Sequence, residues 1–273
     1  MFDFFEQLDP EKVDESVIIH PTAQVSKKAE IGKRVKIGPW SIVGPKVEIE
    51  DDVKISSSVV ISGRTRVGRG TRIFPFATIG QEPQDLTYGG EDTALVIGEE
   101  NQIREYVNIS IGTEKGGACT DIGNQNLIMA YTHIAHDCKI GSKCIFANGI
   151  QLAGHVVVQD NVVFGGMSGG HQFCRFGEYA MIGAGAIVVQ DVAPYCMVQG
   201  DRATVQGLNK VGLKRSDISE EHKKQIKQMY RILFGQNLTL EAAVNEISVD
   251  IADSIYKTKF IDFINGTKRG LCR

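Results

Sequence analysis

The sequence predicts a parallel β-helix followed by a small α-helical domain. A bulky apolar residue returns at every sixth position from Ile19 to Ile79 and, after an interruption, from Ile122 to Val188. The residue four positions further on is small or β-branched from Ala23 to Ala77. A period of six suits neither a helix nor a long plain strand, but it suits short strands joined by tight corners. Three such sides give one coil of about 18 residues, with the apolar positions pointing inward.

The elements follow from where this period holds and where it fails. Residues 1–16 precede it and are assigned to an N-terminal extension, and residues 17–215 form the β-helix, in which only Gly170 and Pro194 interrupt the later series. The stretches 81–96 and 112–121 lack the pattern and are predicted loops. The first is expected to substitute for coil sides, because the pattern resumes in phase at Ile97, and the second introduces a slip of one residue.

Glycine often follows the inward residue, as in Ile37-Gly38 and Ile140-Gly141. We interpret these glycines as corner residues that need unusual backbone angles.

Residues 216–273 are predicted to form the helical domain. Ser219 before Glu220-Glu221 marks the start of one helix, and Thr239 is a second helix cap. A last amphipathic stretch ends at Gly266.

Composition excludes several classes of protein. The 273 residues carry a net charge of −3 with both signs interspersed, a pattern that does not indicate a nucleic-acid-binding surface. No apolar run is long enough for a membrane span, and the N-terminus lacks the basic and apolar regions of a secretory signal. The six cysteines show no Cys-x-x-Cys spacing, so we expect reduced thiols and a cytoplasmic location.

Four of the six histidines lie between positions 133 and 171. A coil of about 18 residues places His136, Gly154 and Gln172 in one column, with Asp137 and His155 in the next. His136 is expected beside a corner and facing outward, because Ile134 already takes the inward position.

Three interpretations of this cluster are open. In the first, the histidines are surface residues that stack along the β-helix and have no function. In the second, three histidines bind zinc, although no usual ligand spacing is present. The third interpretation is a general base, since imidazole titrates near neutral pH and the neighbouring Asp137 can fix its orientation. The Gly154 N–H could then receive an oxyanion.

Two strings give the chain a resemblance to a known family. They are His-Ile-Ala-His-Asp-Cys at 133–138 and His-Gln-Phe-Cys at 171–174, supported by Ile-His-Pro-Thr-Ala at 19–23 and Pro-Gln-Asp-Leu at 83–86. Together they closely resemble the UDP-N-acetylglucosamine O-acyltransferases of lipid A biosynthesis. The hexapeptide repeat alone is also found in acetyltransferases and γ-class carbonic anhydrases. The resemblance implies a left-handed β-helix and a homotrimer.

The resemblance also implies an activity, with no cofactor and no metal. A 3-hydroxyacyl chain would pass from acyl carrier protein to the 3-position of UDP-N-acetylglucosamine, the first step of lipid A biosynthesis. His136 matches the general base, Asp137 its orienting carboxylate and Gly154 the oxyanion donor. The matched positions that hold the sugar, the nucleotide, the acyl chain or the carrier are Asp85, His133, His155, His171, Gln172, Asn209 and Arg215.

Departures from the family pattern suggest alternatives. Thr87 stands where many members have Lys, which removes a cation near the sugar, so a related N-acyltransferase acting on a 3-amino UDP-sugar is the alternative. Simple drift at a peripheral contact is the interpretation favoured for this difference. Ser216 stands where many members have the second Arg of a pair. Ala184 stands where some members have a Gly that sets the acyl length, and its methyl group would shorten the preferred chain. Lys210, Lys214 and Arg215 offer a surface for the acidic carrier protein. A zinc-dependent γ-type carbonic anhydrase and a catalytically silent scaffold are the interpretations from other classes.

Overall fold

The structure is a computed structural model that describes residues 6–9 and 13–273. Most of the chain forms a prism of three sheets whose strands pair in parallel, one coil on the next. Sheet I contains β1 Ile18–Ile19, β4 Lys36–Ile37, β7 Lys54–Ile55, β10 Arg72–Ile73, β13 Gln102–Ile103, β16 Leu127–Ile128, β19 Ile145–Phe146, β22 Val163–Phe164, β25 Met181–Ile182, β27 Cys196–Gln199 and β28 Thr204–Leu208. Sheet II contains β2 Gln24–Val25, β5 Ile42–Val43, β8 Val60–Ile61, β11 Thr78–Gln81, β14 Asn108–Ser110, β17 His133–Ile134, β20 Gln151–Leu152, β23 Gly169–Gly170 and β26 Ile187–Val188. Sheet III contains β3 Glu30–Ile31, β6 Val47–Ile49, β9 Arg64–Val67, β12 Ala94–Ile97, β15 Cys119–Ile122, β18 Lys139–Ile140, β21 Val157–Val158 and β24 Arg175–Phe176.

The core is a stack of the residues that carry the six-residue period. Ile134 pairs with Leu152 one coil later, and both are fully buried, whereas the preceding His133 points away from the core. At the interruption, Gly170, the Phe176 ring takes the space, since a Cβ on Gly170 would lie 2.9 Å from that ring. Burying these apolar side chains is the main favourable term in folding. The predicted β-helix is confirmed.

Glycine is required after the inward residues for a different reason from the one expected. Neither Gly38 nor Gly141 has a positive φ; a Cβ there would lie 2.7 Å from the Ser56 backbone and 2.8 Å from the Asp160 backbone of the next coil. Close stacking of coils therefore requires these glycines. The left-handed corner residue comes two positions later, as at Trp40 with φ of 61°.

Both predicted loops leave the same corner, between sheets II and III. Val67 pairs with Ile97 and Ile97 with Ile122, which are separations of 30 and 25 residues where an uninterrupted coil such as Ile49 to Val67 takes 18. The first loop therefore adds 12 residues and the second adds seven. The expectation that 81–96 substitutes for coil sides was wrong, because β11 and β12 are successive sides of one coil.

The two ends of the prism are covered. At the N-terminal end Gln7 forms an antiparallel bridge with Ser26, and the Leu8 N–H donates to the Val25 carbonyl. Residues 1–5 and 10–12 of the predicted extension lie outside the described residues. At the other end β28 turns back antiparallel to β27.

Four helices follow: α1 Lys210–Arg215, α2 Glu220–Gly235, α3 Leu240–Asp250 and α4 Ile255–Asn265. Ser219 and Thr239 cap α2 and α3 as expected. The short helix α1 falls inside the range assigned to the β-helix, because Asn209 caps it just after β28. The Arg175 guanidinium of the β-helix donates to the Phe263 carbonyl at 3.0 Å and lies over its ring, which attaches α4 to the prism. No described helix has the length and apolar character to cross a membrane.

Candidate active site

The corner between sheets II and III, called the loop corner below, brings together both insertions and the histidine cluster. A cavity of about 470 Å³ opens there. It is lined by Asp85 of the first insertion, by Thr113, Lys115 and Gly116 of the second, and by coil residues that include Asp137, His155 and Phe173. A second cavity of about 530 Å³ lies lower on the prism beneath the first insertion. None of the predicted site residues lines it, so the smaller cavity is the candidate active site.

His136 and Asp137 occupy the turn itself, as expected. The His136 Nδ1 lies 2.8 Å from Asp137 Oδ2. Because a carboxylate accepts hydrogen bonds, Nδ1 is the donor in this contact, and in the neutral imidazole Nε2 then keeps its lone pair. The His136 side chain is 13% exposed and that of Asp137 is fully buried. This arrangement suits a general base held in one tautomer.

Asp137 is held by two threonines that the sequence analysis missed. The Thr113 N–H donates to Oδ1 at 2.9 Å, and the Thr113 hydroxyl donates to Oδ2 at 2.6 Å. The Asp137 N–H in turn donates to the Thr120 hydroxyl, which fixes the backbone at a φ of 60°. The buried carboxylate therefore has three donors, counting His136, which offset the cost of removing its charge from water.

Gly154 lies one coil beyond His136, directly against the imidazole ring. A Cβ on Gly154 would lie 2.6 Å from His136 Cε1 and 2.7 Å from Nε2. Only glycine allows the ring to rest against the backbone here. In the described part of the chain we find no hydrogen-bond acceptor for the Gly154 N–H, so this donor is available to a ligand.

His155 completes the cluster on the cavity side. Its ring stacks on Phe173, with centroids 4.4 Å apart, and meets the His136 ring edge-on at 5.1 Å. Burial lowers the pKa of His155 from its ordinary value, although the Asp137 charge acts in the opposite direction. The neutral ring is thus favoured near pH 7, and it remains able both to donate and to accept a hydrogen bond.

The zinc interpretation rests on one cluster. Among the described residues, ligand atoms of His136, Asp137 and His155 lie within 4.8 Å of one another. This set contains two histidines rather than three, and Thr113 and His136 already occupy the Asp137 oxygens. The geometry favours a hydrogen-bonded pair of His136 and Asp137 over a metal centre.

His133 lies on the outer face of sheet II, next to His136. Its Nδ1 is 2.7 Å from Asn108 Oδ1, and Asn108 Nδ2 donates to the Thr78 hydroxyl at 2.9 Å. Burial, with the neighbouring His136 as the second cause, lowers the pKa of His133. Asn108 was missed because the second insertion separates it from His133 by 25 residues instead of 18.

Comparisons with known proteins bear on what this corner does. Residues 191–272 match the family model described as UDP-N-acetylglucosamine O-acyltransferase, domain 2, and residues 120–149 match the bacterial transferase hexapeptide model. A relative from Myxococcus xanthus, named acyl-[acyl-carrier-protein]–UDP-N-acetylglucosamine O-acyltransferase, is 47% identical over 77% of this chain and 81% of its own length. A relative of the same name from Anaeromyxobacter sp. (strain K) is 45% identical over 71% of this chain and 76% of its own. The chain belongs to this acyltransferase family.

Solved structures agree with this assignment. The protein titled LpxA from Acinetobacter baumannii has a TM-score of 0.91 at 41% identity, covering 94% of this chain and all of its own. The UDP-N-acetylglucosamine acyltransferase from Bacteroides fragilis has the same TM-score and coverage at 36% identity. The β-helix is therefore left-handed and the protein is an acyltransferase, which displaces the carbonic anhydrase and silent scaffold interpretations.

The remaining residues implied by the family resemblance differ in where they lie. Asp85 belongs to the cavity, and its pKa is held below the usual range by the Thr87 N–H and then by the Thr87 hydroxyl. Gln172 is exposed on the loop corner, one coil beyond Gly154, and the exposed His171 precedes it. The His171 Nδ1 lies 3.2 Å from the Gln172 carbonyl.

Three of the implied residues lie away from the loop corner within this chain. Asn209 is 7% exposed and uses its amide to cap α1 and to donate to the Tyr179 carbonyl. Arg215 is exposed at the end of α1. Ala184 lies on the corner between sheets I and II, three coils beyond the His136 level, which is roughly 14 Å along the prism.

Proposed function

We propose that this acyltransferase moves a 3-hydroxyacyl chain from acyl carrier protein to the 3-hydroxyl group of UDP-N-acetylglucosamine, the first step of lipid A biosynthesis. The observation that carries the catalytic part is the 2.8 Å contact of His136 Nδ1 with Asp137, which leaves Nε2 free beside Gly154. The names of the relatives support the donor and the acceptor. Six cysteines without disulfides support a reaction in the reducing cytoplasm.

The proposed reaction is a direct transfer without an acyl-enzyme. His136 Nε2 takes the proton from the 3-hydroxyl as its oxygen attacks the thioester carbonyl, and a carbon–oxygen bond forms. The carbonyl electrons move to oxygen, where the Gly154 N–H donates to the oxyanion. The oxyanion then collapses, the carbon–sulfur bond breaks, and the imidazolium returns its proton to the leaving thiolate. Asp137 stabilises the imidazolium, as a buried carboxylate does in hydrolytic triads.

Substrate binding is assigned to the side chains around this pair. Asp85, His133 and His155 present acceptors and donors to the sugar hydroxyls and the diphosphate. The pKa of Asp85 lies below its ordinary value, so it is ionised at neutral pH and accepts from a sugar hydroxyl. The exposed His171 and Gln172 extend this binding surface along the loop corner to the coil beyond Gly154.

In this proposal the protein is a homotrimer. Assembly of the trimer lets Asn209, Arg215 and Ala184 contribute to an active site, since they lie away from the loop corner of their own chain. The corner between sheets I and II carries an aromatic ladder of Phe76, Tyr106 and Tyr131 that is unusually exposed for apolar rings. The rings stack at 5.0 and 4.9 Å. An apolar ridge of this kind is a surface for a second copy.

The proposed binding site for the acidic carrier protein is the basic surface of α1, which is formed by Lys210, Lys214 and Arg215.

The direct test is to incubate the purified protein with 3-hydroxyacyl carrier protein and UDP-N-acetylglucosamine and to follow the product by mass spectrometry. A parallel reaction contains the 3-amino sugar nucleotide, because the Thr87 hydroxyl donates to Asp85 at 3.0 Å where many members place a Lys cation. Preference for the 3-hydroxy sugar supports the proposal, and preference for the amine selects the N-acyltransferase. No product with either sugar would refute both.

Replacement of Ala184 by glycine is expected to lengthen the preferred acyl chain. Removal of the methyl group opens the end of the acyl groove, and one methylene in an apolar pocket changes discrimination by about tenfold or more. Competing carrier substrates of different lengths measure the ratio of products. Ala130→Gly is the matched control, three coils lower on the same corner. A wild-type preference for the longest chain offered would contradict this role for Ala184.

A further inference from the structure

We infer that Thr113 is a positioning residue for acyl transfer, and that the second insertion holds the Asp137 carboxylate in the direction His136 needs. The inference rests on the proposed function of the His136 and Asp137 pair. It concerns residues 111–118, which add no strand to any sheet and break the repeat. Their contacts with Asp137 supply the reason for an insertion at this point.

The hydroxyl group of Thr113 decides where the carboxylate points. The final torsion of an Asp side chain has no sharp staggered minimum, so hydrogen bonds rather than torsional preference set the orientation of its oxygens. Thr113 supplies a donor to each oxygen, at 2.9 Å from the N–H to Oδ1 and at 2.6 Å from the hydroxyl to Oδ2. Oδ2 is also the oxygen that receives the His136 Nδ1–H. Without the hydroxyl, Oδ2 loses one of its two donors, and the carboxylate is held less firmly in the direction of the imidazole.

The backbone of the insertion covers the other side of the carboxylate. A Cβ on Gly116 would overlap the Asp137 carboxyl group, so the chain at this glycine lies directly on it. The Thr113 carbonyl accepts from the N–H groups of Gly116 and Ala118, which closes the turn. The Gly112 carbonyl accepts from the Thr93 hydroxyl and ties its start to the first insertion. Water is therefore kept from the Asp137 side chain, which has no exposed area.

The test compares Thr113→Val with Thr113→Ser. Valine keeps the backbone N–H and removes the hydroxyl group, whereas serine keeps both donors. We expect the valine variant to lose about 10- to 100-fold in kcat, the scale expected for a small misplacement of a catalytic group, with KM unchanged for both substrates. The serine variant should recover most of the activity. Thr71→Val is the matched control, since Thr71 is also buried and its hydroxyl donates to the Gly98 carbonyl.

A second readout does not depend on turnover. The hydrogen-bonded His136 Nδ1–H should give a downfield proton resonance, identified by its loss in His136→Ala, and the resonance should shift or broaden in Thr113→Val but not in Thr71→Val. If the wild-type protein transfers no acyl group, the proposed function fails while this resonance still decides the role of Thr113. Unchanged kcat and resonance in Thr113→Val would overturn the inference, as would a loss that appears only in KM. Thr113→Ala, which only removes atoms, replaces the valine variant if valine prevents folding.

Discussion

Replacement of His136 by alanine is expected to lower kcat for acyl transfer by about 10²- to 10⁴-fold, the usual contribution of a positioned general base. In the proposed mechanism the Nε2 atom is the proton acceptor, and no other group among the described residues of the loop corner has the same geometry. His133 uses Nδ1 on Asn108, and His155 lies 3.9 Å from Asp137 without a short hydrogen bond to it. KM for the sugar nucleotide should change little, because the base acts mainly in the transition state.

Steady-state kinetics of His136→Ala, with His20→Ala as the control, would measure this loss. His20 is an exposed histidine on the same β-helix, far below the cavity. The thermal midpoint of both variants should stay near that of wild type, since His136 is not part of the core. Added imidazole is expected to restore part of the activity of His136→Ala alone. Wild-type kcat in that variant would show that another group removes the proton.

The sequence predicted the core and the columns because the repeat is strict. Inward residues such as Ile134 and Leu152 are assigned once the period is known, and the column of His136 and Gly154 follows from the length of one coil. The loop corner itself could be predicted from the two interruptions only after both were traced to the same side of the prism. Their common origin required the strand pairing of Ile97 with Val67 and Ile122.

Thr113 and Asn108 could not be predicted in the same way. Thr113 lies in a segment without the repeat, so no register relates it to Asp137, and its contact is made 24 residues away along the chain. Asn108 keeps its place in sheet II, but the insertion changes the spacing. Counting inward residues instead of a fixed coil length aligns Ile109 with Ile134 and would have placed Asn108 beneath His133.

The second large effect is expected at Gly154, where alanine should lower kcat by about 100-fold. The added Cβ would lie 2.6 Å from the His136 ring, closer than such contacts occur, so the imidazole must move away from its position beside Asp137. The backbone N–H proposed for the oxyanion is retained in this variant, so the loss reports displacement of the base alone. Gly154 does not have a left-handed φ, and we therefore expect the fold to tolerate alanine.

The control for this prediction is Gly166→Ala, at the matching corner position between sheets I and II. A Cβ there meets only the Asn148 carbonyl oxygen, at 3.5 Å, which is an ordinary contact. We expect both variants to unfold near the wild-type temperature, while only Gly154→Ala loses activity. The double variant His136→Ala, Gly154→Ala should be no slower than His136→Ala alone, because the methyl group has no ring left to displace. An additional loss in the double variant would instead show that Gly154 acts on the substrate independently of His136.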